Sequence, residues 1–339
     1  MAVIMAGGEG IRLRSVLPGL PKPMAPLAGK PVMERIIRLL RRSGMTDMYA
    51  TLRYMPDAIT EYFRDGKNFD VHLSYHIENE PMGTAGGVRA CFDSIHNEDL
   101  LIISGDAACD FDLRKLMEYH YKHKSAVTMA LFPSKEPLEY GLVLTDHQGR
   151  VRSFIEKPSW ERVVTNFVNT GIYIVSPRAL AMIPENQKFD FAKNLFPMLL
   201  ENGEEIRGLP MEGYWCDIGT PRAYFQCNLD ALDGKLKLFD DCPAPSMQSN
   251  SNTPPSASSR AFSTCTALPC QDRALLMRAL SENLMEAGAD FSQGLSLKTP
   301  NGGIRISPDP KNSALLIESD HPALCEEYSR LALSLIDNA

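Results

Sequence analysis

The chain has 339 residues, enough for one large domain with an appendage; 44% are hydrophobic and 23% charged, the profile of a soluble globular protein. A formal charge of −7 argues against nucleic acid as a general partner, so any phosphate binding must come from local cations. No stretch approaches a membrane span, the N-terminal apolar run lacks the basic flank of a signal peptide, and the eight cysteines are scattered without a C-x-x-C pair; this predicts a cytoplasmic protein with free thiols, without membrane contact, disulfide frame or zinc site.

An apolar run from Ala2 to Ala6 predicts a short buried strand that ends in the turn Gly7-Gly8-Glu9-Gly10. Without Cβ atoms, such a turn lets backbone N–H groups approach a ligand closely. Arg12 and Lys22 follow, and Lys22 stands between Pro21 and Pro23, which fix its backbone. A strand, a glycine turn and placed cations describe a polyphosphate site; the glycine cluster alone would equally suit an ordinary strand-to-helix turn. Two familiar phosphate loops are excluded. Gly10 is followed by Ile11-Arg12 rather than Lys-Ser/Thr, and Leu13 stands where a dinucleotide fingerprint needs glycine.

Pro31 to Arg42 predicts a helix, with Val32, Ile36, Ile37, Leu39 and Leu40 as its apolar face and Gly44 as its stop. Met45–Tyr54 and Val71–Ile77 read as strands flanking a helix from Pro56 to Phe63. This β-α-β-α-β rhythm predicts an α/β fold: a mostly parallel, Rossmann-like sheet with helices on both faces. The small residues of Gly83-Thr84-Ala85-Gly86-Gly87 open the next helix, where a flat group can lie against the backbone. Leu100 to Ser104 is a strand ending in Gly105-Asp106, and a carboxylate at the carboxyl end of a buried parallel strand is a candidate Mg²⁺ ligand or a simple cap. Asp110 and Asp112 read as turn and cap residues. Ser125–Pro133 is a further strand, residues 139–155 a hairpin ending at Glu156-Lys157-Pro158, and Phe167–Val175 a strand carrying Asn169. Phe189–Leu200 predicts an amphipathic helix, and Asp217 lies in Trp215-Cys216-Asp217-Ile218-Gly219-Thr220-Pro221 ahead of a helix to Leu232.

Taken together, AGGEGIRL, LPKPMAPLAGKPVME, GTAGG, the Tyr140-Gly141-Leu142-Val143 element, Glu156-Lys157-Pro158, NTGIY and WCDIGTP resemble the ordered signature of the sugar-1-phosphate nucleotidylyltransferases over residues 1–235. Two departures stand out: Ile11 where the family usually has Thr, and Arg14-Ser15-Val16 after the loop. The resemblance implies transfer of a nucleoside monophosphate from an NTP to a sugar-1-phosphate with release of pyrophosphate. It further implies that Gly7, Gly8, Gly10 and Gly83 hold the nucleotide, and that Arg12 and Lys22 serve the phosphates. By the same resemblance Gly141, Glu156, Lys157 and Asn169 hold the sugar phosphate, and Asp106 and Asp217 hold Mg²⁺. GTP with mannose-1-phosphate is the expected pair, glucose-1-phosphate with UTP or dTTP the alternative, and an inactive regulatory relative the rival. Every charged residue that the reaction requires is present.

After Asp240 the composition turns to Ser, Pro, Thr and Asn, which predicts a flexible linker over residues 241–271. Residues 272–339 read as a small α+β module: a helix over Asp272–Glu286, strands at Gly302–Ile306 and Ala314–Glu318, and a closing helix from Pro322 to Ile336. This module resembles the last domain of the phosphohexomutases. The segment Glu318–Pro322, where that domain's phosphate loop would fall, lacks its Arg and Gly, so no mutase activity is expected. The module is a candidate surface for homo-oligomer formation or for docking another subunit.

Overall fold

The computed structural model describes residues 1–91, 98–239, 265–269, 273–285, 289–291, 295–299, 302–308, 314–319 and 322–336. They fall into two compact units. The first takes in Met1–Ser134, Glu139–Glu156 and Phe167–Leu238, and the second Lys135–Leu138, Lys157–Asn166 and Phe239–Ala339.

In the first unit the strands are β1 (Ala2–Met5), the short pair β2 (Pro26–Leu27) and β3 (Lys30–Pro31), β4 (Asp47–Leu52), β5 (His72–Ile77), β6 (Leu100–Ser104), β7 (Ala107–Cys109), β8 (Val127–Pro133), β9 (Gly141–Thr145), β10 (Val151–Glu156), β11 (Phe167–Val175), β12 (Ile206–Pro210) and β13 (Trp215–Asp217). Its helices are α1 (Val32–Arg42), α2 (Pro56–Phe63), α3 (Gly83–Cys91), α4 (Leu113–His123), α5 (Pro177–Leu180), α6 (Phe196–Glu201) and α7 (Pro221–Leu232). The central sheet runs β10-β9-β11-β6-β1-β4-β5, with β8 and β12 branching from β11. Strands β6, β1, β4 and β5 are parallel, as are β8 and β12, whereas β11 runs antiparallel to β6 and β8. In β1 and β6, consecutive residues Ala2, Val3, Ile4 and Leu100 to Ile103 are all buried. Burial without alternation means that both faces of the sheet are covered, as the mixed α/β architecture requires. No helix among the described residues is long and apolar enough to cross a membrane, and the described cysteines Cys91, Cys109, Cys216, Cys227 and Cys325 are free thiols.

The predicted helix over Phe189–Leu200 is broken into a π turn at Phe191–Leu195 followed by α6. Pro197 has no N–H with which to reach the carbonyl of Lys193, so a regular α-helical bond is lost there and the turn widens. Helix α4 and strand β12 arise without a matching expectation. Asp112 caps α4 by accepting from the Arg114 N–H, as its reading as a cap requires.

The second unit, taken by itself, is an antiparallel sheet in the order β14 (Cys265–Pro269), β17 (Ala314–Ser319), β16 (Gly302–Pro308), β15 (Leu295–Thr299), with helices α8 (Arg273–Leu284) and α9 (Pro322–Ile336) packed on it. Strand β14 lies inside the stretch read as linker; the remainder of 241–271 lies outside the described residues. Segment 157–166 belongs to this unit: Val163 to Asn166 are buried, and Ser281 Oγ donates to the Val164 carbonyl at 2.7 Å.

One buried polar cluster ties α4 to β8. His120 Nδ1 lies 2.8 Å from Thr128 Oγ1, which also bonds Ser125 Oγ, while Nε2 is 3.6 Å from Asp99. Burial lowers the His120 pKa below 6.5, and Asp99 only partly opposes it. The folded chain therefore keeps this imidazole neutral while the unfolded chain binds a proton. Stability present above pH ~6.5 is lost as pH falls. Unfolding free energies measured between pH 7.5 and 5 should decline toward acid, and the slope should flatten in His120→Gln.

Candidate active site

The geometry begins with strand ends. Strand β1 stops at Met5, and the chain turns through Gly7 to Gly10 into a short 3₁₀ turn, Ile11–Leu13. Gly10 has φ +57°, a left-handed conformation, and a Cβ there would stand 3.0 Å from the Lys22 Cβ. Only glycine admits this turn beside Lys22 without strain. At Gly8 no protein atom beyond its chain neighbours lies within 4 Å of where a Cβ would be, so this stretch of backbone is bare to whatever enters.

Lys22 is the centre of the site. Its ammonium lies 2.7 Å from Asp106 Oδ2 and 2.6 Å from Asp217 Oδ1, with the lysine side chain only 10% exposed. Asp106 sits in the turn after β6, and Ser104 Oγ, two residues earlier on the same face, donates to its Oδ1 at 2.9 Å. Asp217 ends β13, which pairs with β7 so that Asp217 faces Ala107 across a two-stranded ribbon. This pairing brings two carboxylates from distant sequence positions onto one ammonium. Burial works against the charged lysine, but the two carboxylates together raise its pKa. Burial is the chief cause of a raised pKa at Asp217, reinforced by Asp106 and opposed by Lys22 and Arg12. Arg12 joins the group through space rather than through sequence: its Nη2 and the Asp217 carboxylate both lie against the bare Cα of Gly219.

A cleft of about 290 Å³ opens beside this centre, lined by Gly7, Gly8, Gly83, Thr84, Asp106 and Asp190 among others. Gly83 has φ +74°, and a Cβ would fall 2.5 Å from the Phe189 carbonyl oxygen, so glycine is obligatory where α3 starts. Thr84 Oγ1 donates to Asp190 Oδ2 at 2.8 Å and accepts from the Phe191 N–H, pinning α3 to the π turn. Glu78, at the end of β5, accepts from the Met82 N–H at 3.1 Å and holds the loop between them.

The expected sugar residues meet by sheet register. Glu156 pairs with Gly141 across β10 and β9, and a Cβ on Gly141 would lie 2.8 Å from Glu156 Oε2 and 3.9 Å from the Asn169 Cβ. The Asn169 Oδ1 accepts from the Gly171 N–H at 3.0 Å and from the Tyr173 hydroxyl at 2.7 Å, leaving its amide nitrogen as the group that can meet a sugar hydroxyl. Trp215 links the ribbon to this strand: its Nε1 donates to the Thr170 carbonyl at 3.1 Å, and its ring packs edge-on against Tyr140 at 5.1 Å. Lys157 starts the segment that belongs to the second unit and has a left-handed φ of 43°. Ser104 and Tyr173 are site-shaping residues that motif reading passed over, whereas Trp215 is expected beside Asp217 as a group that excludes water. The signals were present: Ser104 is two residues from Asp106, and Tyr173 sits inside a motif already singled out.

This donor set has the composition that hard cations and phosphates call for. Two carboxylates converge on one positive charge, flanked by a guanidinium and a glycine-lined wall. Among the described residues no group of three or more His, Cys, Asp or Glu is arranged to hold a metal. Two carboxylates suit Mg²⁺, which takes few protein ligands and completes its shell with water and phosphate oxygen. Asp110, expected as a turn residue, instead clamps distant backbone, accepting from the Tyr214 and Lys237 N–H groups.

Comparison with known proteins bears on residues 1–234, which match the family model described as Nucleotidyl transferase. The UTP–glucose-1-phosphate uridylyltransferase of Synechocystis is 33% identical over 250 residues, 70% of this chain and 64% of that protein. The mannose-1-phosphate guanylyltransferase of Mycobacterium tuberculosis is 30% identical over 234 residues, 69% of this chain and 65% of that protein. The chain thus spans somewhat less than two thirds of the length of these relatives. Among solved structures, HddC from Yersinia pseudotuberculosis complexed with GMP-PN aligns with a TM-score of 0.59 at 27% identity, covering 68% of this chain and 98% of its own. A Bacillus anthracis chain crystallised with sucrose shares the fold, with a TM-score of 0.62 at 22% identity, covering 68% of this chain and 95% of its own.

Gly10→Ala should cost about 1–2 kcal/mol of stability, because it forces an L-residue into a left-handed turn against Lys22. Gly8→Ala, which meets open space, should leave stability unchanged or slightly higher. Chemical denaturation of the two variants makes the comparison.

Proposed function

The chain belongs to the nucleotidyl transferase family of sugar-1-phosphate nucleotidylyltransferases, and from that premise we propose that it transfers a nucleoside monophosphate from an NTP to a sugar-1-phosphate, releasing pyrophosphate. The observation that carries this reading is the Lys22 ammonium held between Asp106 and Asp217 at 2.7 and 2.6 Å beside the glycine turn. The sugar phosphate is already ionised at neutral pH, so its oxygen attacks the α-phosphorus in line without a general base. Catalysis is then positioning plus charge stabilisation.

Each group has a part in that scheme. The backbone of Gly7, Gly8 and Gly10 cradles the nucleotide phosphates, and Gly83 lets the base and ribose lie against the start of α3. Arg12 grips the departing pyrophosphate with its forked donors. Lys22 neutralises charge building on the α-phosphate. Glu156 and Asn169 take sugar hydroxyls, with Gly141 leaving them room; Lys157, assigned on sequence position alone, takes the sugar phosphate. Asp106 and Asp217 would hold Mg²⁺, which when bound would neutralise charge on the phosphates and align the reacting groups.

The substrate pair is GTP with mannose-1-phosphate, forming GDP-mannose. Support comes from the guanylyltransferase named among the relatives and from the guanine nucleotide in the Yersinia protein. A second reading, glucose-1-phosphate with UTP or dTTP, is favoured by the Synechocystis relative. Pyrophosphate release from purified protein, Mg²⁺ and a matrix of NTPs against sugar-1-phosphates separates them. Signal confined to GTP with mannose-1-phosphate supports the first reading. Signal with UTP or dTTP and glucose-1-phosphate supports the second, and silence from folded, nucleotide-binding protein points to a regulatory relative. Lys22→Ala should lower turnover at least about 100-fold while its circular dichroism stays native, and near-normal turnover would sink the role given to Lys22.

A further inference from the structure

Gly219 follows Asp217 by two residues and is buried, yet nothing in its backbone calls for glycine. Its φ lies outside the left-handed region, unlike that of Gly10 or Gly83. The reason for its identity is spatial. A Cβ at this position would stand 2.9 Å from Arg12 Nη2, 2.9 Å from Asp217 Oδ2 and 3.3 Å from Asp217 Oδ1. No backbone atom is among these nearest neighbours. The groups that occupy the missing methyl's place are the ends of two charged side chains.

The backbone itself is anchored on both sides. Ile218 is fully buried in the cluster formed with Leu13, Ala25 and Tyr224, and Thr220 caps α7 by accepting from the Ala223 N–H at 3.2 Å. A methyl added at 219 cannot be absorbed by shifting the chain without uncovering that core or breaking that cap. It is absorbed by the groups that can move. Arg12 is exposed and long, so swinging its guanidinium away costs little in stability.

We infer that Gly219 is a positioning residue, whose missing side chain leaves the Arg12 guanidinium its place against the Gly219 backbone and so aims Arg12 at the departing pyrophosphate. This inference rests on the transfer reaction proposed above. It separates two kinds of glycine in one site: Gly10 and Gly83 are required by backbone conformation, whereas Gly219 is required because two charged side-chain ends leave no space for a methyl. Substitution at Gly10 costs folding energy, and substitution at Gly219 costs function at nearly constant stability.

The test combines calorimetric binding of inorganic pyrophosphate with turnover in the pyrophosphorolysis direction, for wild type, Gly219→Ala, Arg12→Ala and the double variant. Gly219→Ala should keep its unfolding midpoint close to wild type, weaken pyrophosphate binding about tenfold, and leave KM for the nucleotide sugar within about twofold. In the double variant, Gly219→Ala should add nothing to the loss caused by Arg12→Ala, because both act through the same guanidinium. The inference is overturned by Gly219→Ala binding pyrophosphate as wild type does, by full additivity in the double variant, or by a large drop in stability. Wild-type protein that neither binds pyrophosphate nor turns over would instead remove the reaction itself, and the inference with it.

Discussion

One ammonium placed between two carboxylates organises the first unit. Asp106 and Asp217 are far apart in sequence, and half-burying two like charges side by side is costly without a counter-charge. Lys22 supplies it, and the flanking prolines Pro21 and Pro23 hold the lysine's backbone for the purpose. From this point the neighbouring features follow. The glycine turn must pass close to Lys22, Ser104 must orient Asp106, and the β7–β13 ribbon must hold Asp217 opposite Ala107. The fold delivers these groups from the carboxyl ends of β1 and β6, where parallel sheets present ligand-binding loops.

Much of this was legible in the chain. Parallel strands buried on both faces leave continuous apolar runs, and LLIIS at Leu100–Ser104 is the plainest case. Helix signals at Pro56, Pro221 and Pro322 coincide with the observed starts because proline at the first turn lacks only an N–H that would go unused. The candidate site's residues could be picked out for a different reason: they cluster at strand ends in short motifs, where resemblance works over a few residues at a time.

What stayed hidden were the relations between motifs. Nothing in the local sequence says that Trp215 bonds the Thr170 carbonyl or that Tyr173 takes half of the Asn169 side chain. Helix α4 carried its signals, a capping Asp112 and buried Leu113, Leu116 and His120, but its many polar residues mask the periodicity. Strand β14 was obscured by the Ser- and Pro-rich composition before it. The inclusion of residues 157–166 in the second unit is a tertiary fact, set by packing against residues more than a hundred positions later.

The ribbon that carries Asp217 has only three residues per strand, and its register admits no intermediate settings. Side chains along a strand point alternately to opposite faces, so a slip of one residue would not shift Asp217 slightly; it would turn the carboxylate to the other side. The indole of Trp215, clasped by Thr170 and flanked by Tyr140 and Phe132, acts as the pawl of a ratchet that admits a single register. Precision at the charged centre is thus inherited from an aromatic lock two residues away, and damage to that lock would be felt as all or none.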